Sequence, residues 1–91
     1  MEGMYISHVI SEVKRHSNCT IQLSDFVRHR LTTYMSRFQH EDKVELVELL
    51  ITGILEIVSE IYGPGYRSQP CLYTVSPVLV DKFLIWFENG M

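Results

Sequence analysis

Residues 41–62 read EDKVELVELLITGILEIVSEIY, and this stretch decides the fold class. At about 100° per residue, Val44, Val47, Leu50, Ile51, Ile54, Leu55, Ile57, Val58 and Ile61 cover roughly half of a helical circumference. Glu41, Glu45, Glu48, Glu56 and Glu60 gather on the opposite side with Thr52, and Leu49 falls beside them, off the apolar arc. The spacing predicts one long helix, and an arc this wide predicts a central element packed by more than one neighbour. Glu41 and Asp42 sit in the first turn, where acids favour the positive end of the helix dipole. Gly53 weakens the helix locally, and close packing against another element is the expected reason for it. Gly63-Pro64-Gly65 stops the helix, because Gly accepts a left-handed C-cap and Pro cannot continue. Glu45, Glu48, Glu56 and Glu60 lie at depths a membrane span would rarely carry, so the stretch reads as a water-exposed helix.

The segments before it are helical too. Ile6, Val9, Ile10 and Val13 fall at i, i+3, i+4 and i+7, a single stripe ended by the polar run His16-Ser17-Asn18. Thr20-Ile21-Gln22-Leu23 alternates briefly and reads as extended. Ser24 or Asp25 then offers an N-cap oxygen to the first orphan amides of a second helix. Its stripe is Val27, Leu31, Tyr34, Met35 and Phe38, ending near Gln39.

Beyond Gly65, Tyr66 to Val75 reads as a loop or one short strand with Leu72, Tyr73 and Val75 as its apolar content. Ser76-Pro77 pairs an N-cap with Pro at the first helical position, where a missing amide costs nothing. The last helix runs to Glu88 or Asn89. Val78, Leu79, Val80, Phe83, Leu84, Ile85, Trp86 and Phe87 point in almost every direction around it, interrupted by Asp81, Lys82 and Glu88. Three short neighbours cannot cover a helix that is apolar nearly all round, so part of it is expected to face a partner.

The whole chain, 91 residues with 46% apolar content, is expected to be a single all-α domain. A compact bundle of about four helices around the long one is the leading architecture. The alternative is a histone-like helix order, in which two chains clasp each other and Tyr73-Thr74-Val75-Ser76 supplies a short extended segment.

The net charge of −3 hides an asymmetry. Residues 1–40 hold five basic groups (Lys14, Arg15, Arg28, Arg30, Arg37) against Glu2, Glu12 and Asp25, a balance of +2. Residues 41–91 hold three basic groups against eight acids, a balance of −5. The five basic residues are the candidate nucleic-acid contacts. A pI near 5.7 and the lack of an aromatic-interleaved basic strip favour instead a solvated helix face. The acidic side of residues 41–62 reads likewise as solvated, or as a surface for a basic partner or a second copy.

Chemistry-bearing motifs are sparse. We find no Gly-rich phosphate loop, nucleophile elbow or His-Glu-x-x-His. Cys19 lies near His16, but no third group orients the pair for nucleophilic work. His16-x-x-Cys19 could grip one face of a zinc ion with His29, His40 or Cys71, yet a structural zinc site shows two close ligand pairs. No enzyme activity, cofactor, metal or small-molecule substrate is expected. Met1-Glu2-Gly3-Met4 opens no secretory signal, so a soluble intracellular protein of cytoplasm or nucleus is expected. Cys19 and Cys71 are then expected as free thiols, and the Asn18-Cys19-Thr20 sequon as unmodified. The resulting expectation is a non-enzymatic interaction or regulatory protein, an accessory factor of viral or phage type included, that forms a homodimer or joins another protein. Leu79, Phe83, Trp86 and Phe87 are its expected hot spot, since aromatic side chains are favoured at interface centres. The plainer reading is that Phe83, Trp86 and Phe87 close the core of a small domain.

Overall fold

The computed structural model describes residues 2–90, with side chains from Met4 onward. Four helices and two short strands follow in the order α1 (Glu2–His16), β1 (Cys19–Gln22), α2 (Asp25–Met35), α3 (His40–Tyr62), β2 (Cys71–Thr74) and α4 (Pro77–Glu88). The domain is mostly helical but not all-α. β1 and β2 pair in parallel, with Cys19 opposite Cys71 and Gln22 opposite Thr74. An amide of Val75 bonding the carbonyl of Gln22 extends the pairing. Parallel partners need a long crossover, and here α2 and α3 supply it. Both strands belong to one chain, so the extended segment placed near Tyr73 finds its partner internally.

Local chemistry sets most boundaries. Ser17 ends α1: its buried hydroxyl donates to the carbonyl of Val13 and accepts from the amide of Cys19, turning the chain into β1. Ser24 and Ser76 are the N-caps of α2 and α4, accepting from the amides of Val27 and Leu79. Gly63 ends α3 at φ +76° and ψ −172°, so the expected positive φ is present but with an extended ψ, outside the left-handed helical region.

The core draws on the four helices and β1, with β2 packed against it. Ile6, Val9 and Val13 of α1 meet Leu46, Val47, Leu50, Ile54 and Val58 of α3, and Val27, Leu31, Tyr34 and Met35 of α2 close the cluster. Cys19, Ile21 and Val75 add the strand side, and α4 contributes Val80 and Leu84. α3 is the longest helix at 23 residues, yet α1 packs against α2, α3 and β1. Only a stripe of the expected apolar arc on α3 is buried: Ile51 and Leu55 are half-covered, and Val44 and Ile61 are exposed. Leu46, outside the arc read from the sequence, is fully buried. The expected close packing at Gly53 is also corrected. A Cβ built there would meet nothing within 4 Å, so the glycine makes room for no neighbour.

Candidate functional site

The surface that the sequence assigned to a partner lies on α4, and α2 lies beside it. Of the nine large apolar side chains left exposed among the described residues, Val78, Ile85 and Trp86 are on α4. A fourth, Phe26, stands at the start of α2 and lines the same groove as Ile85. That groove, about 310 Å³, is bounded by His29, Arg30 and Tyr34 from α2, by Arg37 in the turn after it, and by Asp81, Leu84, Ile85 and Glu88 from α4.

The four expected hot-spot residues divide. Phe87 is turned inward, edge-on to Phe38 with ring centroids 5.6 Å apart, and Phe38 in turn meets Tyr34 at 5.1 Å. Leu79 and Phe83 are half-buried against the core. Trp86 is 46% exposed, with its ring 5.9 Å from that of Phe83. The open arc of the helix therefore runs from Ile85 through Val78 to Trp86, with Lys82 in its middle. Periodicity does not single out Ile85 and Val78, because only packing tells which sides of an all-round apolar helix are left over.

The basic residues do not merge into one patch. Lys14 and Arg15 are exposed at the end of α1, and Arg15 lies 3.5 Å from the carboxylate of Glu12. Arg28 borders a shallow cleft by the strand ends with Gln22, Leu23 and Thr74. Arg30 and Arg37 face α4 instead. The Nε of Arg30 is 2.6 Å from Asp81 Oδ1, and the guanidinium of Arg37 stands 5.8 Å from the centre of the Tyr34 ring. A cation over an aromatic face is attracted by the ring quadrupole, which holds Arg37 along the groove floor. Two of the five candidate phosphate contacts thus line a groove that also carries Asp81 and Glu88.

Tyr34 is the polar feature of that floor. It is 7% exposed, and its hydroxyl has no hydrogen-bond partner of good geometry. Burial, then the nearby Glu88 carboxylate, pushes its pKa up.

The other sequence-flagged groups scatter. His16 is exposed beside Glu12, at 3.6 Å, while Cys19 is buried in the core at the start of β1. Burial and the neighbouring Cys71 push the Cys19 thiol up to about 12, away from the thiolate a nucleophile needs. No group of three His, Cys, Asp or Glu among the described residues is arranged to hold a metal. No helix among them is long and apolar enough to cross a membrane. A second cleft, about 550 Å³ and unseen in the sequence, opens between α1 and α3 over Met4, Tyr5, His8, His40, Val44, Val47 and Glu48. The hydroxyl of Tyr5 and Nδ1 of His40 are hydrogen-bonded across it.

The fold and this surface define a small, mostly helical domain with one open apolar helix face and a charged groove at its side. The chain is similar to the uncharacterized protein YPL080C of Saccharomyces cerevisiae, 29% identical over 84 residues, which span 92% of this chain and 74% of the relative. No protein-family model matches the chain. No solved structure matches it either.

Proposed function

We propose that this is a non-enzymatic protein-interaction or regulatory module that binds another protein, or a second copy of itself, through the open face of α4. The observation that carries the reading is Ile85, Val78 and Trp86 standing 58%, 63% and 46% exposed on one helix, with Phe26 across the groove from Ile85. Leaving such side chains in water costs about 1–3 kcal/mol each relative to burying them, and a partner surface removes that cost. Trp and its neighbours have the size and rigidity of interface anchors. Arg30, Arg37, Asp81 and Glu88 alongside them supply mixed charge that selects a partner rather than adding much affinity. Within this reading α3 is a long element packed chiefly on α1, its acidic side turned to solvent. Cofactors, metals and small-molecule substrates have no part in it, and it places the protein in cytoplasm or nucleus.

The test compares the wild-type protein with Ile85→Ser/Trp86→Ser, both tagged and captured from native lysate with and without nuclease. A stoichiometric protein that survives nuclease and disappears with the double variant supports the reading, as does a wild-type dimer in sedimentation that the variant lacks. Nucleic acid recovered without a protein partner, and lost on reversing Arg30 and Arg37 to Glu, would replace it with nucleic-acid association, whose affinity falls steeply with salt.

A further inference from the structure

The chain has two cysteines, and the fold brings them face to face. Cys19 of β1 and Cys71 of β2 are direct partners in the parallel register although more than half the chain separates them. Alternate residues point inward on both strands, Cys19 and Ile21 buried on one, Cys71 and Tyr73 half-buried on the other. Side chains at matched positions of paired strands leave the sheet on the same side. Strand spacing of about 4.8 Å lies inside the Cα separation of roughly 4.4–6.8 Å that a disulfide spans. The two side chains accordingly leave the strand pair side by side, and both thiols are free.

We propose that Cys19 and Cys71 are a modification site, closing to a reversible intramolecular disulfide when the protein meets hydrogen peroxide. The accessibility of the pair divides the roles. Cys71 is half-buried and reachable by so small an oxidant, whereas Cys19 is 0% exposed and reachable only by its neighbour. The Cys71 thiolate attacks one peroxide oxygen and the O–O bond breaks. The departing hydroxide takes a proton and leaves as water, and Cys71 becomes a sulfenic acid. The Cys19 sulfur then attacks the Cys71 sulfur, and the S–O bond breaks. The hydroxyl departs with the Cys19 proton as a second water. Two thiols lose two electrons and two hydrogens, and one peroxide is reduced to two waters.

Cys19 suits the second step and not the first. Burial keeps free peroxide away from it and holds its thiol protonated, and as it attacks the sulfenic sulfur opposite it passes that proton to the departing hydroxyl. The disulfide ties the end of α1 to the segment that leads into α4, locking the strand pair and closing a loop over α2 and α3. This inference is independent of the partner-binding reading.

The experiment uses the full chain, reduced, desalted and exposed to hydrogen peroxide, then denatured in a thiol alkylator and weighed intact. The expected product is a monomer lighter by two hydrogens, carrying no alkyl group and returned to two alkylated thiols by dithiothreitol. Its thermal midpoint rises by about 10 °C, the scale set by closing a loop of roughly 50 residues in a domain this small. In Cys19→Ser, dimedone traps a sulfenic acid on Cys71. Cys71→Ser, at the more exposed position, keeps the fold and leaves Cys19 unmodified by peroxide. Two alkylatable thiols after oxidation, a disulfide found only between chains, or conversion of Cys71 to sulfinic acid with Cys19 intact would each overturn the proposal.

Discussion

Helices α1 and α4 are of similar length and bury their apolar residues to very different degrees. α1 is amphipathic, and its inward residues Ile6, Val9 and Val13 are 0–1% exposed. α4 is far richer in apolar side chains, yet of these only Val80 and Leu84 are buried, and Val78, Ile85 and Trp86 face solvent. The difference lies in the neighbours. α1 is wrapped by α2, α3 and β1, whereas α4 packs chiefly on α2. A small domain has a high ratio of surface to volume and a limited supply of covering elements. Hydrophobicity beyond what those elements cover goes to the surface. In α1 the apolar pattern describes the fold; in α4 it exceeds what the fold uses.

This contrast makes stability and binding separable. The largest expected effect is on the closed side: Leu46→Ala, at a position 0% exposed, lowers unfolding free energy by about 3 kcal/mol in chemical denaturation. A loss under 1 kcal/mol would mean that the α1–α3 side is not the stable half. Next comes alkaline pH. Cys19, Tyr34 and Tyr73 all have folded pKa values above their ordinary ones, chiefly because burial penalises their charged forms. Each holds its proton more tightly folded than unfolded, so its stabilisation is complete below about pH 9 and is lost as pH rises through the folded values. The unfolding free energy followed from pH 8 upward should hold steady and then fall, by on the order of 2 kcal/mol near pH 11. A flat profile would contradict the burial of these groups.

On the open side, Ile85→Ser/Trp86→Ser should weaken partner binding or self-association at least about tenfold, which is about 1.4 kcal/mol. Each substitution alone should change monomer stability by less than about 0.5 kcal/mol, because surface positions away from caps and core tolerate exchange. Equal damage from these changes and from Leu46→Ala would erase the distinction between the two helices. The smallest effect belongs to Tyr34→Phe, which removes a buried hydroxyl with no partner and should raise stability by about 1 kcal/mol or less. It should also remove the Tyr34 share of the alkaline loss. If instead it weakens partner binding, the hydroxyl serves the groove rather than the fold.

Much of this architecture is readable from local chemistry. Ser24, Ser76-Pro77 and Gly63-Pro64-Gly65 mark helix ends because caps and stops depend on a few adjacent atoms. The stripes of α1 and α2 follow from periodicity, since a one-sided apolar pattern has one way to be buried. The long helix over 41–62 was equally plain, but its neighbours were not: a wide apolar arc states a capacity for contact and not how much is used. Leu46 buried and Ile61 exposed, at 0% and 58%, are outcomes of where α1 lies along α3.

By itself the sequence determined the four helices, their order, the Ser76-Pro77 start of the last, the Gly63 stop of the longest and the opposed charge of its halves. All of these are properties of neighbours in the chain. The tertiary structure decided that the extended segments pair in parallel, that Cys19 meets Cys71, and that Arg30 and Arg37 turn toward Asp81 and Glu88 while Arg28 does not. It also decided which side of α4 stays open. Each of these depends on contacts between residues far apart in sequence, and no local pattern encodes which distant surface arrives first or covers most.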